Sequence, residues 1–579
     1  RVAVRLEDDS KTHELVGSHD GFFEGEVKGA GPGTLYKYIL DGKRSHPDPA
    51  SRWQAAGVDG ASGIVAPRDF AWTDEQWRGV AKHRLLLYEI HVGTFSAAGT
   101  LRAAIERLPK LVELGVTAVE LMPVVQTAGR WNWGYDGVDL FAVNDSYGGP
   151  GELKAFVDAC HARGLAVILD VVYNHLGPEG CVLQDFGPYL SKEHLTPWGA
   201  ALNFDGEGCE GVRAFILENA VEWLRDYHLD GLRLDSVHHI FDHSQTTVLS
   251  ELRQRVNEFG ATVSRPLHLI FEANVYDEAL LQPEDGRPDC DAIWCDDLMH
   301  SILTVARPEL QLTDRKYEGA EDLARVLRNG RVYVWRDGAP LRVDEPPPVV
   351  SSEEEDSPLA SLVTSLQNHD GIGNHPQGKR IHQLSSKEYQ MAAAVLSLLA
   401  PGIPLIFMGE EWAIDTRFPF FCDHQDPELR RLVEQSRARE MEARGLEDAL
   451  SPLSEESFER ARWHESLEGD SEIFDWYRRL IILRKEGLRE GWLAMERLQV
   501  EHDRDRGIFS LRFTRQYGAA IRARVRLGST DRGESDPVAV PFSGHVLLSS
   551  RGKWEQEEDR LLLHAEHAVV SLETGQRTD

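Results

Sequence analysis

A chain of 579 residues is too long for one hydrophobic core, so two to four domains are expected. Apolar residues make up 41% and charged residues 27%, a globular rather than a disordered composition. The net charge of -32 (63 Lys+Arg against 95 Asp+Glu) opposes non-specific binding to nucleic acid or anionic membrane and favours neutral or cationic ligands.

Residues 1–78 alternate and turn often, as in GFFEGEVKGAGPGTLYKYILDGK, which predicts a small N-terminal β-sandwich. The chain opens inside a strand-like run without Met, which leaves room for residues upstream. Neither a signal peptide nor an apolar run of ~18 residues is evident. The six cysteines are scattered without a CxxC pair, which argues against a disulfide framework or a zinc site and suits the cytoplasm.

From Leu85 apolar runs alternate with amphipathic stretches. Strands are expected at 85–92, 117–122, 165–172, 231–237, 267–273, 291–297, 362–370 and 403–409. Helices are expected at 101–114, 152–163, 211–227, 246–259, 321–328 and 387–399. Eight such units over residues 79–497 suit a (β/α)8 TIM barrel with long loop insertions. A doubly wound sheet is the alternative, disfavoured because no glycine-rich phosphate loop is present. The acidic, proline-bearing stretch at 344–358 reads as a solvated loop, and short alternating runs over 498–579 predict a C-terminal antiparallel β-domain.

In a barrel, catalytic groups come from the C-terminal ends of the strands. Asp170, Asp235, Glu272 and Asp370 each end an apolar run and precede a polar loop. Arg233 and Asp235, two apart on one strand, face the same side, where the arginine would keep the carboxylate ionised. A purely structural ion pair is the competing reading of those two residues alone. Glu272 follows Leu267-His268-Leu269-Ile270-Phe271, and burial there favours a protonated acid. Asp370, between Asn368-His369 and a glycine, suits a grip on sugar hydroxyls. Tryptophans in polar loops, Trp131, Trp133, Trp198, Trp294 and Trp412, could stack on sugar faces.

DVVYNH, DGLRLD, a strand-end glutamate and NHD, in this order, resemble the signature regions of the α-amylase family of glycoside hydrolases over roughly residues 80 to 490. The resemblance implies a retaining mechanism with Asp235 as nucleophile, Glu272 as acid/base and Asp370 as transition-state stabiliser. Asp170, Asn174, His175, Arg233 and His369 match positions that bind the −1 sugar or brace the site, and Tyr135 of WGYDG matches a stacking aromatic. Phe271 departs from the family pattern, which has a small residue before the acid. WNWGYDGVDLFAVNDSYGGP, YNHLGPEG, TPWGAALNFDG, QNHDGIGN and GEEWA are similar to those members that cut the α-1,4 bond next to the terminal trehalose of a maltooligosyl chain. Maltooligosyl trehalose or a related α-1,4-glucan is then the implied substrate. His238 matches a histidine of those members, Glu410, Trp412 and the loop Trp294 to Asp297 become candidates for the plus-side sugars, and Trp198 is a further candidate substrate contact. A glycogen branching or debranching enzyme is the alternative, and a catalytically dead carbohydrate-binding homologue is a third reading. No cofactor is implied. Some amylases hold calcium near the positions of Asp170 and Asn174, but without EF-hand-like or His-rich spacing no metal is expected in catalysis.

Overall fold

The computed structural model describes residues 1–579 except 9–10, 19–20, 67–69, 282–287, 337, 344–360, 447–448, 465–468, 516–517, 529–535 and 574–579. The acidic stretch at 344–358 thus lies outside the described residues.

The eight apolar runs form eight parallel strands that close into a barrel in chain order. They are β1 (Leu87–Ile90), β2 (Ala118–Leu121), β3 (Ala166–Val171), β4 (Gly231–Leu234), β5 (His268–Asn274), β6 (Ala292–Cys295), β7 (Leu362–Ser365) and β8 (Ile403–Phe407). Closure runs from β8 to β1, where Phe407 lies beside Glu89.

One set of alternate positions shows why the site sits where it does. Leu87, Ala118, Ile168, Ile270 and Ala292 belong to one buried apolar cluster. Two residues further along the same strands stand Glu89, Glu120, Asp170 and Glu272, while Trp294 on β6 stays within the apolar cluster. Strand periodicity puts each pair on one face, so that face is apolar toward the strand starts and polar toward the strand ends. Gly231 belongs to this pattern too. A Cβ there would meet the His268 carbonyl at 2.5 Å and Ile168 Cδ1 at 2.8 Å, so β4 can approach its neighbours only with glycine below Arg233.

The barrel helices are α1 (Leu101–Leu114), α2 (Gly149–His161), α3 (Cys209–Asp226), α4 (Val248–Gly260), α5 (Asp297–Ala306), α6 (Ala320–Asn329), α7 (Lys387–Leu398) and α8 (Ser471–Glu490). In α1 the Thr100 side chain accepts the Ala103 N–H, and Gly115 closes the helix at φ 101°. Between those caps Leu101, Ala104, Leu108, Leu111 and Leu114 form the buried stripe, each leucine contributing roughly 1.5–3 kcal/mol of burial.

Two expected strands end three or more residues early. The run expected to 237 stops at Leu234, and the one expected to 370 stops at Ser365, after which Asn368 caps the short helix His369–Gly373. Asp235 and Asp370 therefore stand just beyond their strands. Helix α5, all ten of whose residues are buried, was not foreseen; it begins where the run expected at 291–297 ends.

Before the barrel, strands 2–6, 12–14, 35–40, 44–46 and 62–63 form an antiparallel sheet. The segment linking it to β1 is tied to the barrel by a buried network. Asp230, preceding β4, accepts from Trp77 Nε1 at 2.7 Å and pairs with His161 Nε2 at 2.9 Å, while His161 Nδ1 meets Asp74 at 2.8 Å. Beginning at Leu498, a five-stranded antiparallel sheet packs on α7 and encloses an apolar core with a three-stranded sheet. No helix among the described residues is long and apolar enough to cross a membrane.

Candidate active site

Arg233 organises the polar end of the barrel. Its guanidinium is 1% exposed, a position that costs several kcal/mol unless paired. Nη1 donates to both Asp170 oxygens at 3.0 and 2.8 Å and to Asp235 Oδ1 at 3.0 Å. Nη2 lies 3.6 Å from Glu272 Oε2. The plane of the guanidinium also sits 4.7 Å from the Trp294 ring, a cation–π contact that offsets lost hydration.

Asp235 has a second partner. Asn174 Nδ2 donates to its Oδ2 at 2.8 Å and to its carbonyl at 2.9 Å. Immediately after it, Ser236 adopts φ 44°, a left-handed conformation uncommon for a non-glycine residue. That turn aims the Ser236 N–H at Glu272 Oε2, 2.6 Å away. Glu272 itself is pushed up to about 8 by burial, and the negative charges of Asp235 and Asp370 add to the rise against the pull of Arg233. It therefore holds a proton at neutral pH.

Asp370 leads into the cleft with a side chain 42% exposed, far more open than the other acids. His369 beside it is fully buried and pushed up to about 9; burial opposes this rise, and the Glu89 carboxylate drives it. Its Nε2 meets the Tyr135 hydroxyl at 2.9 Å, and that hydroxyl donates to Asp170 Oδ2 at 2.7 Å. Tyr135 also stacks on the His369 ring at 5.2 Å.

His175 is hydrogen-bonded to Asn174 Oδ1 and lies against Trp198, whose ring is stacked 4.9 Å away. Trp198 is 50% exposed. By contrast Trp131, Trp133, Trp294 and Trp412 pack against Phe458, Phe418, Arg233 and Phe474. His238 packs against His239 and Trp335, and burial, with His239 adding, lowers it to about 4, so it is neutral.

Two expected sugar contacts are corrected. Asp297 is fully buried and accepts from the Tyr317 hydroxyl and from the backbone N–H of Val332 and Tyr333 at 2.6, 2.6 and 3.0 Å. It anchors the segment after α5 and has no face left for a ligand. Glu410 is turned outward after Gly409 at φ 81°. Its Oε1 accepts from the Tyr477 hydroxyl of α8 at 3.0 Å, and burial raises it to about 8.

Two carboxyls, Glu89 and Glu120, escaped the sequence reading, and a third, Asp296, entered it only within the loop Trp294 to Asp297. Glu89 supports His369. Glu120 is buried and held well above the usual carboxylate range by that burial and by the Glu89 charge. Asp296 accepts from Asn368 Nδ2 at 3.1 Å and Trp294 Nε1 at 3.2 Å; burial first, and Asp370 second, raise it to about 6. The signal for the first two was present: one charge inside an apolar strand, in LLLYEIHV and TAVELM, as for Arg233 in GLRLD.

The alpha-amylase catalytic domain matches residues 64–188 of the chain. Malto-oligosyltrehalose trehalohydrolase of Arthrobacter ramosus is 39% identical over 89% of this chain and 87% of its own length. The enzyme of the same name from Saccharolobus solfataricus is 38% identical over 94% and 91%. Among solved structures, a putative alpha amylase from Salmonella typhimurium superposes with a TM-score of 0.84 at 34% identity, covering 99% of this chain and 96% of that one. With identity of this level along nearly the whole length, the chain belongs to the malto-oligosyltrehalose trehalohydrolase family.

Proposed function

We propose that this protein is a retaining glycoside hydrolase that cuts the α-1,4 bond next to the terminal trehalose of maltooligosyl trehalose and releases trehalose. Glu272 protonates the bridging oxygen as the trehalose unit departs, and Asp235 attacks the anomeric carbon of the remaining chain to form a glycosyl ester. Glu272, now a carboxylate, takes a proton from water, which attacks the same carbon and frees Asp235. Asp370 binds hydroxyls of the −1 sugar and tightens as the ring flattens. Tyr135 and His369 wall that sugar, Asp170, Asn174, His175 and Arg233 hold the nucleophile's surroundings, and Trp198 and His238 flank the leaving trehalose.

The observation that carries this reading is that one guanidinium reaches both Asp235 and Glu272. A shared cation favours the close carboxyl spacing of retaining enzymes, roughly 5–5.5 Å, over the ~6.5–9.5 Å needed to seat a water for inversion. The protonated state of Glu272 supports its acid role. We also propose that the chain divides at residues 78 and 497, supported by the antiparallel sheets on either side of the barrel, and that it works in the cytoplasm, as the cysteine pattern suggests.

Incubation with maltooligosyl trehalose and, separately, with maltopentaose tests the substrate. Trehalose should appear from the first at a rate far above any cleavage of the second. Equal cleavage of maltopentaose without trehalose, or a shift of branch length on amylose, would replace this reading with a general amylase or a branching enzyme.

A further inference from the structure

Beside the cleft, three separate segments converge donors for which the catalytic steps above have no use. His194 lies on the hairpin strand Leu190–Thr196, Asp205 lies between that hairpin and α3, and His243 lies in the loop that follows Asp235. An imidazole nitrogen from each histidine and a carboxylate oxygen of Asp205 all lie within 4.8 Å of one another. His243 Nδ1 is 2.9 Å from Asp205 Oδ2, the His243 backbone N–H donates to that same oxygen at 3.0 Å, and His194 Nε2 is 3.5 Å from it.

We propose that His194, Asp205 and His243 bind one divalent cation of the zinc class, with solvent completing the shell, and that the ion pins the hairpin to the loop after the nucleophile. Zinc takes nitrogen at ~2.0–2.1 Å and carboxylate oxygen at ~2.0–2.2 Å, which sets neighbouring donors roughly 3.3 Å apart. The three atoms already approach that spacing. Two imidazoles select against calcium and magnesium, which prefer all-oxygen shells. The ion is distinct from the acids of the barrel and takes no part in bond cleavage.

Its reach into the site runs through rings. Phe241 stacks on His194 at 5.0 Å and meets His239 edge-on at 6.4 Å. His239 meets Trp198 edge-on at 5.2 Å, and Trp198 stacks on His175. Trp198 is carried by the turn of the same hairpin as His194. A cation at the far end of this row would order the hairpin before sugar arrives, and so lower the entropy lost when Trp198 is immobilised.

The test uses the full chain, stripped of metal, titrated with Zn2+ by calorimetry and with Co2+ by visible absorption. The expected result is one saturable site with a Co2+ ligand-field band, and slower amide exchange across residues 190–202 when Zn2+ is bound. His243→Ala and Asp205→Asn should each weaken that site at least tenfold. His243 is 73% exposed at its side chain, so its alanine variant should melt like the parent without metal and decides the matter if Asp205→Asn folds poorly. Absence of a saturable site below about 100 μM, or equal affinity in His243→Ala, would overturn the site. Unchanged exchange at 190–202 on binding would overturn the pinning. None of these readouts depends on trehalose release.

Discussion

Glu89 on β1 and His369 after β7 meet across the polar end of the barrel: one Glu89 oxygen is hydrogen-bonded to His369 Nδ1, and the other accepts the His369 backbone N–H at 3.1 Å. The carboxylate thereby fixes both the orientation of the ring and its charge. From Nε2 the chain continues through Tyr135 to Asp170 and Arg233, and so to the nucleophile. Glu89 contacts no sugar in the proposed mechanism; it is a positioning residue.

Glu89→Gln should therefore change a pH profile as well as a rate. In the parent, His369 is held up at about 9 and stays cationic through the neutral range. Without the Glu89 charge, burial pulls its pKa down, and the Tyr135 contact loses its charge-assisted donor near neutrality. We expect kcat/KM at neutral pH to fall roughly 10- to 100-fold, about 1.4–2.8 kcal/mol, and to recover partly as pH is lowered. Stability follows the same linkage. A histidine raised above its unfolded value of ~6.5 contributes stability that is complete below that pH and lost as pH rises through about 9. Melting temperature between pH 6.5 and 9 should thus decline less steeply in the variant. Identical profiles would remove Glu89 from this role.

Glu272 gives a linkage of the same sign at the same site. Its pKa rises on folding from 4.5 to about 8, so the protonated acid needed for leaving-group departure is lost above that value. The alkaline limb of kcat/KM should fall there and vanish in Glu272→Gln, along with most of the activity. Folding this acid costs stability progressively as pH rises from 4.5 to 8, because the unfolded chain releases the proton and the folded chain retains it. Glutamine is spared that cost. Glu272→Gln should then melt higher than the parent at pH 8 by more than ~1 kcal/mol and about equally at pH 4.5. Equal melting at both pH values would show that Glu272 is not held protonated.

Trp198 and Asp297, both expected to contact substrate, separate by experiment. Trp198→Ala should raise KM for maltooligosyl trehalose severalfold, since the exposed indole offers an apolar face for a sugar to stack on, and leave the melting temperature unchanged. Asp297→Asn should do the reverse. It weakens the anchor of Tyr317, Val332 and Tyr333, costing ~1–3 kcal/mol of stability, with little change in KM. A KM effect at Asp297 without destabilisation would reverse the correction.

How far the sequence could be read follows from physics. Barrel strands are buried on both faces, so they appear as continuous apolar runs, and all eight were found to within a few residues. Arg233 and the acids stood out because charge at the end of such a run is costly. Asp297 and Glu410 stood at equivalent places along the chain, yet Asp297 opens a helix and a left-handed glycine turns Glu410 toward α8. Spacing along a chain does not carry side-chain direction past the strand end. The His194, Asp205 and His243 cluster was illegible for a related reason: its members come from three segments, and no local motif joins them. Helix Pro427–Ala443, with only Met441 buried, offered no apolar stripe to find.

The anomer first released, and the sugar released with it, test retention with trehalose as the leaving group most directly. Proton NMR during the first turnover of maltooligosyl trehalose follows both products before mutarotation. The new reducing end of the maltooligosaccharide should appear first as the α-anomer, in equal amount with trehalose. A β-anomer at early times would contradict the assignment of Asp235 as nucleophile, and a reducing end without trehalose would contradict the assignment of the bond.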